Sequence, residues 1–210
     1  MKAEAALARA GVRDVSRETC ERLEIYADLL KRWNPKINLV SPKTIVDLWT
    51  RHIADSAQLF SIAPEWRYWV DMGSGAGLPG LVIAALAAEN VDAQVTFIES
   101  DARKCAFMRE AAQKMGVAAD IRNCRIEDAA PLRAAPDIIS ARALAALDKL
   151  LSLAAPLAGA QTKYLFPKGA ALESELTAAS AHWHIEADRI PSLTDGTAEI
   201  LFVRKAERHG

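Results

Sequence analysis

The segment 70–80, VDMGSGAGLPG, places four glycines within eight residues, directly after a short apolar run. Glycine has no Cβ and adopts positive φ angles freely, so such a run occurs where the backbone turns sharply or approaches another group closely. An apolar strand, a glycine-rich turn and a following helix are the first parts of a βαβ unit. The segment therefore predicts an α/β protein with a ligand site at this turn.

From Tyr68 onward, short β-rich runs alternate with stretches of helix length. The runs are YWVDM, VTFIES, ADIRN, DIISA and KYLF. This alternation is typical of βαβ units that build a parallel sheet with helices on both faces. Two further strand-like runs, HWHIEADRI and GTAEILFVRK with SLTD between them, are expected to form an antiparallel hairpin. The predicted fold is a Rossmann-like, mostly parallel seven-stranded sheet that ends in this hairpin.

Residues 1–62 are predicted to form a helical N-terminal extension on a core of residues 63–210. Ser16 can cap a helix whose apolar residues recur every three to four positions. Pro35 disfavours helical geometry in the residue before it, so that helix is expected to end near Asn34. A further helix is predicted over about 43–62.

The charges of the chain are nearly balanced, with 26 basic and 27 acidic residues. A uniformly basic surface is thereby excluded, so any contact with nucleic acid must come from a local patch. No run approaches the roughly 18 apolar residues of a membrane span, and none is expected. Three scattered cysteines, Cys20, Cys105 and Cys124, indicate a reducing cytoplasm. His182 and His184 have strand spacing but no third ligand nearby, and no metal site is predicted.

Three classes of ligand compete for the glycine-rich turn. A phosphate-binding P-loop is excluded, because Gly-Lys-Ser/Thr does not follow the glycines. A dinucleotide stays open, since residues 75–80 match G-x-G-x-x-G and Glu99 at the end of the next strand could bind a ribose. Pro79 argues against it, because proline removes a backbone N–H where a pyrophosphate needs donors.

S-Adenosylmethionine fits a third pattern, in which Asp71 at the strand end is followed by glycines at every second position. This ligand has no phosphate, and its sulfonium and amino-acid end can be surrounded by backbone. Glu99 would again bind the two ribose hydroxyls. The closing antiparallel hairpin favours this interpretation over the dinucleotide, because seven-stranded methyltransferases end in that way.

Six motifs follow one another along the chain: WNPKINLVSP, RHIADS, VDMGSGAGLPG, RIED, ISARAL and FPKG. Over about residues 20–170, the chain resembles the bacterial small-subunit rRNA guanine-N7 methyltransferases, the RsmG or glucose-inhibited division protein B family. The resemblance implies a class I methyltransferase core with S-adenosylmethionine as methyl donor. It also implies that the target is a guanine of 16S rRNA near the decoding centre. No motif matches beyond about residue 175.

The resemblance also implies cofactor contacts, which are carried over by position. They fall on Gly73 and Leu78 in the turn, on Ile126 and Glu127 after the third strand, and on Arg142 after the fourth. Leu78 and Ile126 would pack on apolar parts of the donor, and the main chain at Ile126 and Glu127 would contact its adenine. Together with the glycine pattern, the predicted cofactor residues are Asp71, Gly73, Gly75, Gly77, Leu78, Glu99, Ile126, Glu127 and Arg142.

The implied reaction needs few catalytic groups, since guanine N7 has a free lone pair and no proton to lose. No general base or covalent nucleophile is required, so no catalytic residue is assigned, and positioning and electrostatics should supply the rate. The Pro-Cys pair of pyrimidine-C5 enzymes and the Asn/Asp-Pro-Pro-aromatic motif of exocyclic-amine enzymes do not occur. An arginine bonded to O6 and N7 would block the reacting atom, so Arg142 is predicted to contact cofactor or phosphate.

Basic residues interleaved with Trp33 and Trp49 between positions 31 and 51 indicate an RNA surface that binds phosphates and stacks on bases. The alternative is a solvated helix face with two core tryptophans. His52, Asp55 and Ser56 share one face of the predicted helix. They either border the guanine pocket or pack against the glycine-rich turn, with Asp55 orienting His52. The predicted substrate residues are Asn38, Arg51, His52, Lys168, Lys36 and Lys43.

Two other functions stay open from the residues alone, an NAD(P)-dependent oxidoreductase and a non-catalytic rRNA-binding or ribosome-assembly factor. The favoured prediction is a cytoplasmic methyltransferase that uses S-adenosylmethionine and acts on 16S rRNA or the small ribosomal subunit. It is expected to be a monomer with no membrane contact and no protein partner.

Overall fold

A computed structural model describes residues 2–209 of the chain. Its sheet contains β1 Tyr68–Met72, β2 Gln94–Glu99, β3 Asp120–Asn123, β4 Ile138–Ser140, β5 Lys163–Lys168, β6 Trp183–Pro191 and β7 Glu199–Arg208. The strand order is β3-β2-β1-β4-β5-β7-β6. The pairs β5–β7 and β6–β7 are antiparallel, and the other pairs are parallel. The predicted mostly parallel sheet with a closing antiparallel hairpin is confirmed.

Strands β1 and β4 are neighbours in the sheet although β2 and β3 separate them along the chain. In open α/β sheets, ligands bind beyond the carboxyl ends of the strands at such a switch in strand order. The glycine-rich turn directly follows β1, and β4 ends at Ser140. In the paired register, Asp71 of β1 lies opposite Ser140. The turn therefore lies where this fold binds its ligands.

Within residues 2–209, helices lie on both faces of the sheet. They are α1 Lys2–Arg9, α2 Arg17–Ile37, α3 Asp55–Ile62, α4 Gly80–Leu86, α5 Ala102–Met115, α6 Leu147–Ala154 and α7 Leu172–Ser180. Helices α1 to α5 share one apolar core, and α6 and α7 pack on the other face. Trp33 of α2 meets Phe107 of α5 edge-on, with 5.8 Å between ring centroids. None of the described helices is both long and apolar enough to cross a bilayer.

Helix α2 ends later than predicted. It continues through Pro35 and is terminated by Asn38, whose φ of 48° is left-handed. Pro35 lacks the N–H that would bond to the carbonyl four residues earlier, so the helix loses one hydrogen bond there, and only two further residues follow Pro35 in the helix. The side chain of Asn34 accepts a hydrogen bond from the Val40 N–H at 2.8 Å, which fixes the chain that leaves the helix.

The segment predicted as one helix over about 43–62 has three parts. A 3₁₀ turn spans Ile45–Asp47, a π-helical turn spans Trp49–Ala54, and α3 begins at Asp55. A π turn has a wider hydrogen-bonding pattern than an α-helix and often occurs at functional sites. Because it precedes α3 directly, His52 and Asp55 do not have the simple α-helical relation that the sequence predicts.

Candidate functional site

The glycine-rich turn is closely packed at two glycines and open at a third. Gly73, Gly75 and Gly77 have φ angles of 64°, 55° and 79°. A Cβ at Gly73 would lie 2.6 Å from Leu144 Cδ1, and one at Gly77 would lie 2.5 Å from Leu81 Cδ1. At Gly75, a Cβ would have only the Gly73 carbonyl oxygen within 4 Å, at 3.8 Å. Gly75 is therefore the glycine that leaves room for a ligand.

Most backbone donors of this turn, all but that of Ala76 among residues 73–78, already have an acceptor within the protein. Those with a protein acceptor at 2.7–3.2 Å are the N–H groups of Gly73, Ser74, Gly75, Gly77 and Leu78. At the start of α4, the Gly80 N–H donates to Asp71 Oδ2 at 3.2 Å, and the Leu81 N–H donates to Gly77 O at 2.7 Å. A pyrophosphate needs free N–H groups at this helix end. The dinucleotide interpretation of the G-x-G-x-x-G pattern therefore does not fit the structure.

Asp71 supports the turn from behind. Its side chain is fully buried, Oδ1 accepts a hydrogen bond from Ser140 Oγ at 2.8 Å, and Oδ2 accepts the Gly80 N–H. Burial raises the pKa of this carboxyl to about 6, against the lowering effect of both hydrogen bonds. The sequence places Asp71 among the cofactor contacts. The structure places it at the N-terminus of α4, with no surface open to a ligand.

A cavity of about 420 Å³ opens in front of the turn, and we call it the turn cavity. Its volume lies in the range of about 300–1,000 Å³ that is usual for small-molecule sites. The predicted cofactor residues that line it are Gly73, Gly75, Glu99, Ile126 and Glu127. Its apolar walls include Ile98, Leu144 and Leu153, and its basic residues are Lys104, Arg125 and Lys149. The predicted cofactor residues that lie outside it are Asp71, Gly77, Leu78 and Arg142.

Backbone groups hold Glu99 in place at the end of β2. Oε2 accepts the Gly75 N–H at 2.8 Å, and Oε1 accepts the Asp101 N–H at 2.8 Å. Each carboxylate oxygen keeps a second lone pair, so both can accept a further hydrogen bond. The residue is 8% exposed and lines the turn cavity. This geometry suits the predicted contact with two neighbouring hydroxyls.

A second space of about 400 Å³, which we call the Arg142 cleft, shares Ala143 and Ala145 with the turn cavity. Ala143 has a φ of 51°, a left-handed conformation that is uncommon outside glycine. The predicted site residues in this cleft are Arg51, His52, Arg142 and Lys168. Its ion pairs are Arg51–Asp195 at 3.3 Å, Arg142–Asp55 at 3.1 Å and Lys168–Glu175 at 2.6 Å. Because each cation has an acidic partner, these pairs keep the cleft close to neutral.

Arg142 joins the end of β4 to the N-terminal segment. Its guanidinium donates hydrogen bonds to Arg51 O at 3.2 Å, Asp55 Oδ2 at 3.1 Å and His52 Nδ1 at 2.6 Å. The planar arginine fork can make several such bonds in fixed directions. One sequence interpretation has Asp55 orient His52. The structure instead has both residues bonded to Arg142, and all three border the cleft.

The hydrogen bonds of His52 assign its tautomer. Because Arg142 donates to Nδ1, Nε2 carries the proton and donates to Thr44 Oγ1 at 2.8 Å. Burial lowers the pKa of His52 to about 4, with further lowering by the positive charges of Arg142 and Arg51. The imidazole in the cleft is therefore neutral at neutral pH.

The lowered pKa of His52 predicts a loss of stability at acidic pH. Between pH 6.5 and about 4, the unfolded chain protonates this histidine and the folded chain does not, so stability falls as the pH falls. The linked loss is about 1–2 kcal/mol near pH 5. Asp71 acts in the opposite direction. Its pKa is about 6 in the folded protein and 3.8 in the unfolded chain, so the folded state binds the proton more readily and gains stability as the pH falls.

Urea unfolding of the wild type and His52→Asn, at about pH 7.5 and about pH 5, separates the two contributions. Both proteins contain Asp71, so its effect cancels in the difference between them. The wild type should have a larger free energy of unfolding than His52→Asn at about pH 7.5. We expect this difference between the two proteins to be about 1–2 kcal/mol smaller at about pH 5. A difference that does not change with pH would contradict a lowered pKa at His52.

Lys168 lies at the end of β5, as predicted, but its ammonium group is engaged within the protein. Nζ donates to Glu175 Oε2 at 2.6 Å and to Ala145 O at 3.0 Å. Glu175 Oε2 also accepts the Leu147 N–H at 2.8 Å, at the start of α6. The pair holds the segment that forms one wall of the cleft, and Lys168 is 9% exposed.

Asn38, Lys36 and Lys43 lie outside both the turn cavity and the Arg142 cleft. All three are exposed, at the end of α2 and in the turn that follows it. Trp33 and Trp49 are half-buried and pack against the core shared by the N-terminal helices and the sheet. The tryptophans therefore match the alternative interpretation of core residues, and the basic residues form the surface.

Comparison with known proteins decides the family. A family model described as GidB, rRNA small subunit methyltransferase G, matches residues 19–201. The chain belongs to the GidB family. A ribosomal RNA small subunit methyltransferase G of a Ruegeria species is 50% identical over 93% of this chain and 95% of that protein. The protein of the same name from Paramagnetospirillum magneticum is 50% identical over 92% of each chain. The resemblance based on the six motifs is confirmed.

Solved structures share the fold of this GidB family member at low sequence identity. A methyltransferase from Geobacter sulfurreducens has a TM-score of 0.62 at 14% identity, over 88% of this chain and 90% of that chain. A SAM dependent methyltransferase from Aquifex aeolicus has a TM-score of 0.60 at 13% identity, over 84% and 97% of the two chains. The predicted class I methyltransferase fold is therefore confirmed.

In this GidB family member, the turn between β6 and β7 belongs to the Arg142 cleft, which the sequence did not indicate. Thr194, Asp195 and Ala198 line the cleft. Gln58 of α3, also not predicted, is buried beneath this turn and accepts the Leu193 N–H at 2.9 Å through Oε1. The serine, threonine and aspartate of SLTD are typical of a turn. Turns of this composition occur in many hairpins, so they do not indicate a functional site.

Tyr26 of α2 connects the N-terminal helices to the glycine-rich turn of this GidB family member. Its hydroxyl donates to Ala76 O at 2.9 Å, and the side chain is fully buried. Burial raises the pKa of the phenol, so the hydroxyl keeps its proton and acts as a donor.

Replacing Tyr26 by phenylalanine should destabilise the protein by about 1–3 kcal/mol, because it leaves the buried Ala76 carbonyl without this donor. Urea unfolding of the two proteins measures the difference. A loss below about 0.5 kcal/mol, the usual range of surface substitutions, would mean that the hydroxyl is not needed to hold the turn.

Proposed function

We propose that this protein transfers the methyl group of S-adenosylmethionine to N7 of one guanine in 16S rRNA near the decoding centre. The observation that carries the proposal is the pair of adjoining spaces at the carboxyl ends of β1 and β4. The turn cavity and the Arg142 cleft share Ala143 and Ala145, so ligands in the two spaces would meet at one wall. Membership of a family of small-subunit rRNA methyltransferases supports the reaction class.

In this proposal the turn cavity holds S-adenosylmethionine, whose part in the reaction is a methyl group bonded to a positively charged sulfur. The residues present fit this ligand. Gly75 leaves open space where a side chain would fill the cavity, and Glu99 offers two oxygens to a ribose. Most backbone donors of the turn already bond within the protein, which suits a ligand without phosphate.

The proposed direct cofactor contacts are Gly73, Gly75, Glu99, Ile126 and Glu127. The other predicted residues act around them. Asp71, Gly77 and Leu78 shape the turn from behind, because each is buried against the core or α4. Arg142 directly precedes the shared wall residue Ala143, next to both spaces.

The Arg142 cleft is proposed to hold the target guanine. Its paired charges suit a flat, uncharged base better than a bare phosphate. Methylation at N7 places a positive charge on the base, which a neutral His52 does not oppose. The three cations of the cleft are each paired with a carboxylate, so they add little net positive charge that would oppose the methylated base. Since N7 has no proton to lose, the residues of the cleft act by positioning the base.

The exposed basic residues beside the cleft are proposed to contact the rRNA backbone. Lys43 directly precedes Thr44, which lines the cleft, and Arg51 lies in the cleft with half of its side chain exposed. Lys36 and Asn38 lie on the same segment of chain, at the end of α2. Lysine and arginine contacts to phosphates make binding weaken steeply as the salt concentration rises.

The test uses 16S rRNA and small subunits from cells that lack this protein. Each substrate is incubated with the purified protein and labelled S-adenosylmethionine, and N7-methylguanine is mapped by mass spectrometry. One new methylated guanine near the decoding centre is the expected result. Binding to rRNA without methyl transfer to either substrate would identify a non-catalytic factor instead, and transfer to another atom would overturn the N7 assignment.

A further inference from the structure

The turn that closes the C-terminal hairpin, residues 192–197, contacts the Asp55 carboxylate of the Arg142 cleft through the Thr194 hydroxyl. Thr194 Oγ1 donates to Asp55 Oδ1 at 2.8 Å. The same oxygen accepts a second hydrogen bond from Gln58 Nε2 at 2.9 Å. The other oxygen of this carboxylate, Oδ2, accepts the bond from Arg142 Nη1 at 3.1 Å. The hydroxyl and the guanidinium therefore hold opposite oxygens of one carboxylate.

These contacts form one continuous chain of hydrogen bonds along the cleft wall. It runs from Thr194 to Asp55, then to Arg142, then to His52, and ends at Thr44. All five residues line the cleft. In such a chain, the direction of each bond limits the orientation of the next group. A side chain on the C-terminal hairpin is thus linked to three residues of the N-terminal segment and to Arg142, two residues after the end of β4.

We propose that Thr194 is a positioning residue for the substrate: it orients the Asp55 carboxylate, which in turn holds Arg142 and His52 in the geometry that receives the base. This inference rests on the proposed function, because it concerns the cleft assigned to guanine. It gives the C-terminal hairpin a role in the site, beyond closing the edge of the sheet.

The hydroxyl of Thr194 is not needed to attach the turn to the core. Gln58 already does so, since its Oε1 accepts the Leu193 N–H at 2.9 Å and its Nε2 donates to Ser192 Oγ at 3.2 Å. Arg51 adds an ion pair to Asp195 across the mouth of the cleft, at 3.3 Å. Loss of the hydroxyl should therefore act on Asp55 and leave the turn in place.

The charged groups that face His52 provide a readout besides activity. Arg142 and Arg51 lower its pKa and Asp47 raises it, in addition to the larger effect of burial. When Asp55 is no longer fixed by Thr194, Arg142 can turn away from Nδ1. The pKa of His52 then rises from about 4 towards its ordinary value of 6.5. A residue that merely stabilised the turn would leave this titration unchanged.

The experiment compares Thr194→Val, which loses the hydroxyl, with Thr194→Ser, which keeps it. Thr177→Val is the matched control, because Thr177 is an exposed threonine of α7 whose hydroxyl donates to its own helix. The readouts are kcat and KM with rRNA, the Kd of S-adenosylmethionine, and the titration of His52 by NMR. Each variant is used as the full chain.

We expect Thr194→Val to lower kcat/KM for rRNA by about tenfold or more, the size of a lost hydrogen bond to a charged group. Its Kd for S-adenosylmethionine should stay unchanged while the pKa of His52 rises. Thr194→Ser and Thr177→Val should resemble the wild type. An unchanged His52 titration in Thr194→Val, or equal losses in Thr194→Val and Thr194→Ser, would overturn the proposal. If the wild type transfers no methyl group, the proposed function fails, and the His52 titration still decides whether Thr194 orients the cluster.

Discussion

Replacing Gly75 by glutamate is expected to abolish binding of S-adenosylmethionine while the protein still folds. Gly75 lines the turn cavity, and a Cβ there would meet only the Gly73 carbonyl oxygen, at 3.8 Å. The new side chain can therefore be built without a clash, but it occupies the proposed donor site. The folding cost is limited to the left-handed φ of 55°, about 1–2 kcal/mol for a residue with a Cβ.

Isothermal titration calorimetry should show a Kd for S-adenosylmethionine that is weaker by about 100-fold or more, which is ~2.7 kcal/mol. Gly116→Glu is the matched control. Gly116 also has a left-handed φ, 65°, with nothing within 4 Å of a Cβ, and it follows α5 outside both spaces. The control shares the backbone strain and should bind the donor normally. Normal donor affinity in Gly75→Glu would remove the turn cavity as the donor site.

Gly73 is less suitable for this test, although the sequence predicts that Gly73 and Gly75 both contact the cofactor. A Cβ there would lie 2.6 Å from Leu144 Cδ1, so substitution forces the wall between the two spaces to move. A loss of binding in that variant could not be separated from a loss of structure.

Replacing Arg142 by methionine should reduce both stability and methyl transfer. The Arg142–Asp55 pair is mostly buried, with side chains 16% and 18% exposed. Removing the cation leaves the Asp55 carboxylate with Thr194 and Gln58 as its hydrogen-bond donors. Removing one partner of a buried ion pair lowers the free energy of unfolding by about 3–5 kcal/mol. We expect a loss of about 2–3 kcal/mol here, because some solvent reaches both groups. Methyl transfer should fall by about 100-fold, since the cleft loses the group that orients His52 and Asp55.

Urea unfolding and single-turnover methylation measure the two effects of Arg142→Met. A double-mutant cycle with Asp55→Asn isolates the interaction between the pair, and the double variant should be more stable than the two single losses predict. Arg189→Met is the control, because Arg189 pairs with Glu173 and Glu199 on the exposed side of β6. It should change stability little and leave methyl transfer unchanged. Additive losses in the cycle would show that Arg142 and Asp55 act independently.

Local patterns account for the parts of the structure that were predicted correctly. The strands near 68–72, 94–99 and 163–168 were identified because apolar and β-branched residues cluster in short runs between helix-length stretches. Pro35 shows the limit of such rules. The local rule ends the helix before the proline, but α2 gives up one hydrogen bond at Pro35 and continues for two more residues, to Ile37.

The sequence by itself determined the sheet, its closing hairpin, the family and the residues of the turn, because these depend on spacing and conformational preference within short segments. Tertiary structure decided the surroundings of Asp71, whose carboxylate is fully buried and accepts the Gly80 N–H at the start of α4. It also decided that Thr194 meets Asp55, 139 positions away along the chain. Such a contact follows from how the hairpin packs against α3, and no local pattern in either segment encodes it.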